Sequence, residues 1–124
     1  MTQTLEQATP TEVLWHRVCR LSDLELGWAE AALVDGRQVA IFPLGPEEVY
    51  AVDHRDPRTG ANVMARGITG SRTVMGEERP TVTSPLHKEV YDLASGMCYT
   101  DGSLHLPVHP CRMQDGWVEV GQAW

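Results

Sequence analysis

The chain has 124 residues, 42% of them hydrophobic, and a formal charge of −7 at pH 7. That is one domain's worth of sequence with enough apolar residues for a core, and its acidity excludes a dedicated nucleic-acid binder and disfavours an anionic membrane as partner. No run of ~18 apolar residues is present to span a bilayer, and the N-terminus lacks the basic start and apolar stretch of a secretory signal, so the expected compartment is the cytoplasm.

Residues 1–12 are polar and read as a flexible tail, leaving 13–124 as the domain. From Val13 the run VLWHRVC interleaves apolar and polar residues, as a strand does. In SDLELGW, Ser22 and Asp23 are placed to cap one helical turn before Gly27 stops it. Asp35-Gly36 then joins AEAALV to RQVAIFPL, and a D-G pair between apolar runs is a strong hairpin signal. In EEVYAVDH, Val49 and Ala51 face opposite to Tyr50 and Val52. Residues 53–88 form an irregular stretch of turn formers and charges, with short strand candidates near 67–69, 73–75 and 81–83. Two further D-G hairpins are predicted, Asp101-Gly102 between GMCYT and SLHLPV, and Asp115-Gly116 between HPCRM and WVEVG. No segment sustains a helical apolar stripe over three turns, so the fold class is all-β, a small sandwich or barrel of short antiparallel strands. Cys19, Cys98 and Cys111 are odd in number and widely spaced, which speaks for free thiols rather than a disulfide framework.

Two loops in this frame hold the chemistry-bearing residues. The first is Asp53-His54-Arg55-Asp56-Pro57-Arg58-Thr59-Gly60, and the second is Ser84-Pro85-Leu86-His87-Lys88, running into Val90–Gly96. Each is a polar loop after a strand, with a proline near its tip. "VYAVDHRDPRTGA" and "SPLHKEVYDLASG" resemble the two loops of Rieske iron–sulfur domains, in which two cysteines and two histidines clasp a two-iron cluster. The later DGWVEV ending matches as well, and the resemblance covers about residues 13–121.

Set against that pattern, the first cysteine position is Asp56, the first histidine position Arg58 and the second cysteine position Ser84; only His87 is kept. No thiolate is left to hold the cluster, and Arg58 would point a fixed cation into a metal pocket. A Rieske-like domain without its ligands resembles the small subunits of cytoplasmic NAD(P)H-dependent nitrite reductases. Trp15-His16-Arg17-Val18-Cys19-Arg20-Leu21-Ser22-Asp23-Leu24 is similar to that family's opening, and the long linker between the loops is similar too. The resemblance implies a non-catalytic accessory subunit without a cofactor of its own. Its partner would be a large subunit carrying FAD, sirohaem and a four-iron cluster, and the pair would reduce nitrite to ammonium in nitrate assimilation.

On the residues alone, the gap left by a cluster needs filling by side chains or water. Asp56 or Arg58 is expected to pair across to Ser84 or His87 and plug it. His54, Asp56 and His87 make a conceivable mononuclear metal set, but Arg55 and Arg58 share the loop and oppose it, so His87 is expected to serve structure or an interface. His105, His109 and Cys111 would share one strand face, interrupted by Pro107 and Pro110, and are expected at the surface, with Leu104, Leu106 and Val108 on the core side. No nucleophile elbow or phosphate-binding loop is present, so no catalytic residue is assigned. Trp15 and Trp117 suit core or half-core positions, while Trp28 and Trp124 are harder to bury. The candidate docking residues are His54, Arg55, Arg58, His87, Lys88 and Trp124, a local basic patch on an acidic chain. The alternatives are a ferredoxin-like electron carrier or a β interaction module of another reductase or oxygenase. The sequence does not set the oligomeric state.

Overall fold

The computed structural model describes residues 13–122. The predicted tail at 1–12 and Trp124 lie outside the described residues.

Ten strands follow in chain order: β1 (Leu14–Arg20), β2 (Glu30–Val34), β3 (Arg37–Gly45), β4 (Glu48–Asp53), β5 (Ile68–Val74), β6 (Glu77–Thr83), β7 (Val90–Asp92), β8 (Val108–His109), β9 (Cys111–Gln114) and β10 (Trp117–Gln122). They form three antiparallel sheets among the described residues, ordered β1-β10-β9, β2-β3-β4-β8 and β5-β6-β7. The helical turn expected after Ser22 and Asp23 lies earlier, as a short 3-10 segment at Leu21–Asp23 that contains both residues and has Arg20 as its N-cap, and a second 3-10 turn spans Met64–Arg66. No helix among the described residues is long and apolar enough to cross a membrane.

The four-stranded sheet is the middle layer. Val39 and Ile41 of β3, with Ala51 of β4, pack on Val118 and Val120 of β10. Their alternates Ala40, Phe42 and Val52 pack the other way, with Val82 and Tyr91 of the third sheet. A strand covered on both faces has no polar side to show, which is why Val39–Phe42 is an unbroken apolar run at 0–1% exposure. The sequence alternation at Val49–Val52 is thus a division between two cores rather than between core and solvent. Leu106 is fully buried in the core shared with Val82 and Tyr91, with Leu104 and Val108 packed against that core, as their alternation predicts.

Two of the three D-G hairpins form as predicted. Asp35-Gly36 and Asp115-Gly116 both have positive φ at each residue, the geometry of a two-residue type I′ turn. Asp101-Gly102 does not. Asp101 instead caps a wider loop, its carboxylate accepting from the Ser103 N–H and hydroxyl and its carbonyl from the Leu104 N–H. The strand candidates in 53–88 are also corrected: β5 and β6 make a regular hairpin paired from Ile68↔Thr83 to Val74↔Glu77. No residue of β5 is buried, so the apolar alternation that advertises a strand is missing. Its turn is Met75-Gly76, both at positive φ, which carries no Asn or Asp signal.

Candidate functional site

The two polar loops meet at one end of the domain. The first leaves β4 at Asp53 and runs to the second 3-10 turn. It is cinched by Asp56, whose N–H donates to the Ala61 carbonyl (2.7 Å) and whose carbonyl accepts from the Gly60 N–H (2.8 Å). Gly60, at φ +81°, closes this turn. The second loop is cinched in the same way by Ser84, whose carbonyl accepts from the Lys88 N–H (3.1 Å) and whose N–H donates to the Glu89 carbonyl (2.9 Å).

These two cinching residues are joined. The Ser84 hydroxyl donates to Asp56 Oδ2 at 2.7 Å, and both residues are 1% exposed. Asp56 Oδ1 accepts from the Arg58 N–H at 2.8 Å, so both carboxylate oxygens are engaged. The expected plug therefore exists, made by Asp56 and Ser84. Arg58 does not point into this junction. Its guanidinium reaches the Glu89 carboxylate and, at 3.0 Å, that of Asp101. The hydrogen bond and charge of Glu89 hold the guanidinium above its usual basicity. One side chain thus ties the first loop to the end of the second and to the Asp101 turn.

Tyr91 lies under the loops with its hydroxyl buried and without a hydrogen-bond partner among the described residues. Burial holds its phenol well above the usual value, and the Cys98 thiol and the Asp56 and Glu89 carboxylates add to that. His54 is 8% exposed, and its Nδ1 accepts from the Ala65 N–H at 3.1 Å. Burial, with Arg66 nearby, lowers its pKa, and the ring is a post under the second 3-10 turn rather than a displayed group. Arg55, Arg58, His87 and Lys88 are exposed at the loop end.

Among the described residues, no three His, Cys, Asp or Glu side chains are grouped to hold a metal ion. The donors present do not fit a two-iron cluster either. Neither cysteine position carries sulfur, and those two positions are hydrogen-bonded to each other in a closed, buried contact. The expected surface trio also separates. His105 is exposed, 3.2 Å from the Ser95 carbonyl. The His109 side chain is only 6% exposed, with Nε2 2.7 Å from Asp53 Oδ1, and Asp53 also takes two hydrogen bonds from Arg37. Short β8 turns His109 inward by pairing it with Ala51 on the middle sheet. Cys111 is half-buried, its thiol pushed up to about 12 by burial.

Sequence reasoning missed the acidic partners of Arg58. Glu89 directly follows the second loop, and Asp101 was hidden inside a supposed hairpin. It also missed a groove of about 620 Å³ beside the loops, lined by Trp28, Ala65, Arg66 and Ile68. Its one advance signal is Trp28, a large aromatic in a polar turn.

A family model for the Rieske-like [2Fe-2S] domain matches residues 14–121. The nitrite reductase (NADH) small subunit of Salmonella typhimurium is 34% identical over 107 residues, which is 86% of this chain and 95% of that one. A solved structure described as an NADH-dependent nitrite reductase small subunit from Mycobacterium tuberculosis superposes with a TM-score of 0.81 at 37% identity, covering 90% of this chain and 96% of that one. A Klebsiella oxytoca protein named as the large subunit of nitrite reductase [NAD(P)H] is 34% identical over 94% of this chain, in a segment that makes up 12% of its own length.

Proposed function

The chain belongs to the Rieske-like [2Fe-2S] domain family and, within it, to the small subunits of nitrite reductase, and from that premise we propose that it works as a cluster-free accessory subunit. Its partner is the large subunit of an NAD(P)H-dependent nitrite reductase. By the family resemblance that partner carries FAD, sirohaem and a four-iron cluster and reduces nitrite to ammonium in the cytoplasm, in nitrate assimilation. This chain contributes no redox centre and no catalytic side chain to that reaction. It acts by binding, through the end of the domain where Arg55, Arg58, His87 and Lys88 are displayed. His54 supports that surface from beneath.

The observation that carries the cluster-free part is the buried Asp56–Ser84 hydrogen bond. It supplies the closure that two metal-bound thiolates supply in a cluster-holding relative, and it occupies the two positions a two-iron cluster would need. The Klebsiella protein supports the pairing: a segment like this one lies inside a chain named as the large subunit, so domain and large subunit occur there as one molecule.

The test is reconstitution. The purified chain should show no visible absorbance from iron and sulfide after anaerobic incubation with both. Added to its large subunit, it should raise NAD(P)H-dependent nitrite consumption or stabilise the assembled enzyme. A stoichiometric two-iron spectrum from the chain, or a large subunit that neither binds it nor responds to it, would overturn the reading.

A further inference from the structure

Arginine and lysine are scarce in this chain, ten in all, and seven of them are engaged. Arg17, Arg37, Arg58, Arg79 and Arg112 are ion-paired with carboxylates. Arg20 lies over the Trp117 ring and Arg72 over the Tyr99 ring, each at 4.5 Å from the centroid. Among the described residues that leaves Arg55, Arg66 and Lys88, all exposed. Arg55 is in the first loop, Lys88 in the second, and Arg66 in the 3-10 turn that the first loop feeds. On a chain of net charge −7, the uncompensated positive charge is thus gathered at one end.

Beside the second 3-10 turn the domain also exposes apolar surface. Trp28 is 66% and Ile68 is 72% exposed, and they line the groove beside Arg66. The groove abuts the loops through two direct links. Its Ala65 N–H is bonded to His54 of the first loop, and Ile68 is paired with Thr83, the residue before Ser84. A single exposed apolar side chain needs no explanation. A tryptophan and an isoleucine flanking a groove, with Arg66, unpaired among the described residues, in its wall, have the composition of a binding hot spot.

We propose that the Trp28–Ile68 groove is the anchor point for the large subunit, which inserts an apolar side chain there and sets carboxylates against Arg66, Lys88 and Arg55. The proposal rests on the accessory-subunit reading and names the surface that reading requires. The apolar groove supplies the affinity, and the three cations supply orientation and encounter rate, which salt screens.

The experiment is calorimetric titration of the large subunit with the full chain and with Trp28→Ser, Ile68→Ser, Arg66→Glu and Leu33→Ser. Leu33 is 70% exposed on β2, away from the groove, and serves as the control. Circular dichroism and thermal melting establish that each variant is folded, which their exposure favours. Trp28→Ser and Ile68→Ser should each weaken binding tenfold or more, and Arg66→Glu should weaken it while flattening its salt dependence. Leu33→Ser should bind as the parent does. If the parent binds and the three groove variants bind equally well, the groove inference fails and the accessory-subunit reading stands. If the parent chain does not bind at all, the reading itself fails. Self-association of the parent that Trp28→Ser abolishes, with large-subunit binding unchanged, would assign the groove to a second copy and overturn the proposal.

Discussion

Replacing Ser84 with alanine removes one hydroxyl, yet it should cost more than its size suggests. Asp56 is 1% exposed, and its Oδ2 receives the Ser84 hydroxyl at 2.7 Å. Without that donor a buried carboxylate oxygen loses its partner in a space shaped for a direct contact. A hydrogen bond to a charged group is worth about 1.5–3 kcal/mol, and an orphaned charged acceptor sits at the upper end of that range. Ser84 Oγ also accepts from the Leu86 N–H at 3.3 Å, but Leu86 is exposed, so water can replace that bond. The expected loss is about 2–3 kcal/mol, or roughly 6–12 °C in melting temperature for a domain of this size. Asp56→Ala should cost a similar amount, since it orphans both the Ser84 hydroxyl and the Arg58 N–H. The decisive quantity is the double-mutant cycle, read from urea denaturation of the two single variants and the pair. A coupling of about 1.5–3 kcal/mol is expected, and one below about 0.5 kcal/mol would refute the claim that this bond holds the loops together.

Two further predictions concern groups away from the junction. Asp92, 1% exposed, takes two hydrogen bonds from Arg79, one from the Tyr99 hydroxyl and one each from the Ala94 and Ser95 N–H groups. Burial alone would raise its carboxyl, but the Arg79, Tyr99 and backbone hydrogen bonds outweigh burial and hold it well below the usual carboxylate range. Its stabilisation is therefore complete above pH ~5 and is lost as pH falls below about 4, where the unfolded chain takes up the proton first. Asp92→Ala should cost about 3–5 kcal/mol at neutral pH and flatten the acid limb of a stability-versus-pH curve; an unchanged limb would count against the assignment. The thiols give the third prediction. Burial raises the Cys111 thiol to about 12 and also raises Cys19, while Cys98 is 5% exposed, so all three should react slowly with a disulfide reagent at pH 8 in the native protein. In denaturant three should react at once, and a rapid native thiol would show that one of these sites is open.

Where local geometry governs, the sequence was readable. Asp35-Gly36 and Asp115-Gly116 carry both the turn and its registers, because a type I′ turn needs two residues that tolerate positive φ. The Asp56–Ser84 contact followed from a different argument, that a gap between two polar loops must be filled. What was not readable depends on distant partners. The β5–β6 hairpin hides because no residue of β5 is buried among the described residues, so its side chains bear no imprint of a core. His109 reads as surface by its neighbouring prolines and is turned inward by two residues of pairing with β4. Arg58 looked aimed at the junction because it stands at the first histidine position of the Rieske pattern; its partners lie 31 and 43 residues further on.

The pairing of β1 with β10 sets Leu14 beside Gln122, so the first strand of this domain has its sheet partner in the domain's last strand. The β2–β3, β3–β4 and β5–β6 hairpins can close before that last strand is made, but β1 has no other sheet neighbour among the described residues and waits with its backbone unpaired through synthesis of the rest of the domain. Closing that long circuit costs loop entropy that no nearby contact offsets, which places the three-stranded sheet late in folding. The same pairing brings both ends of the domain to a single corner.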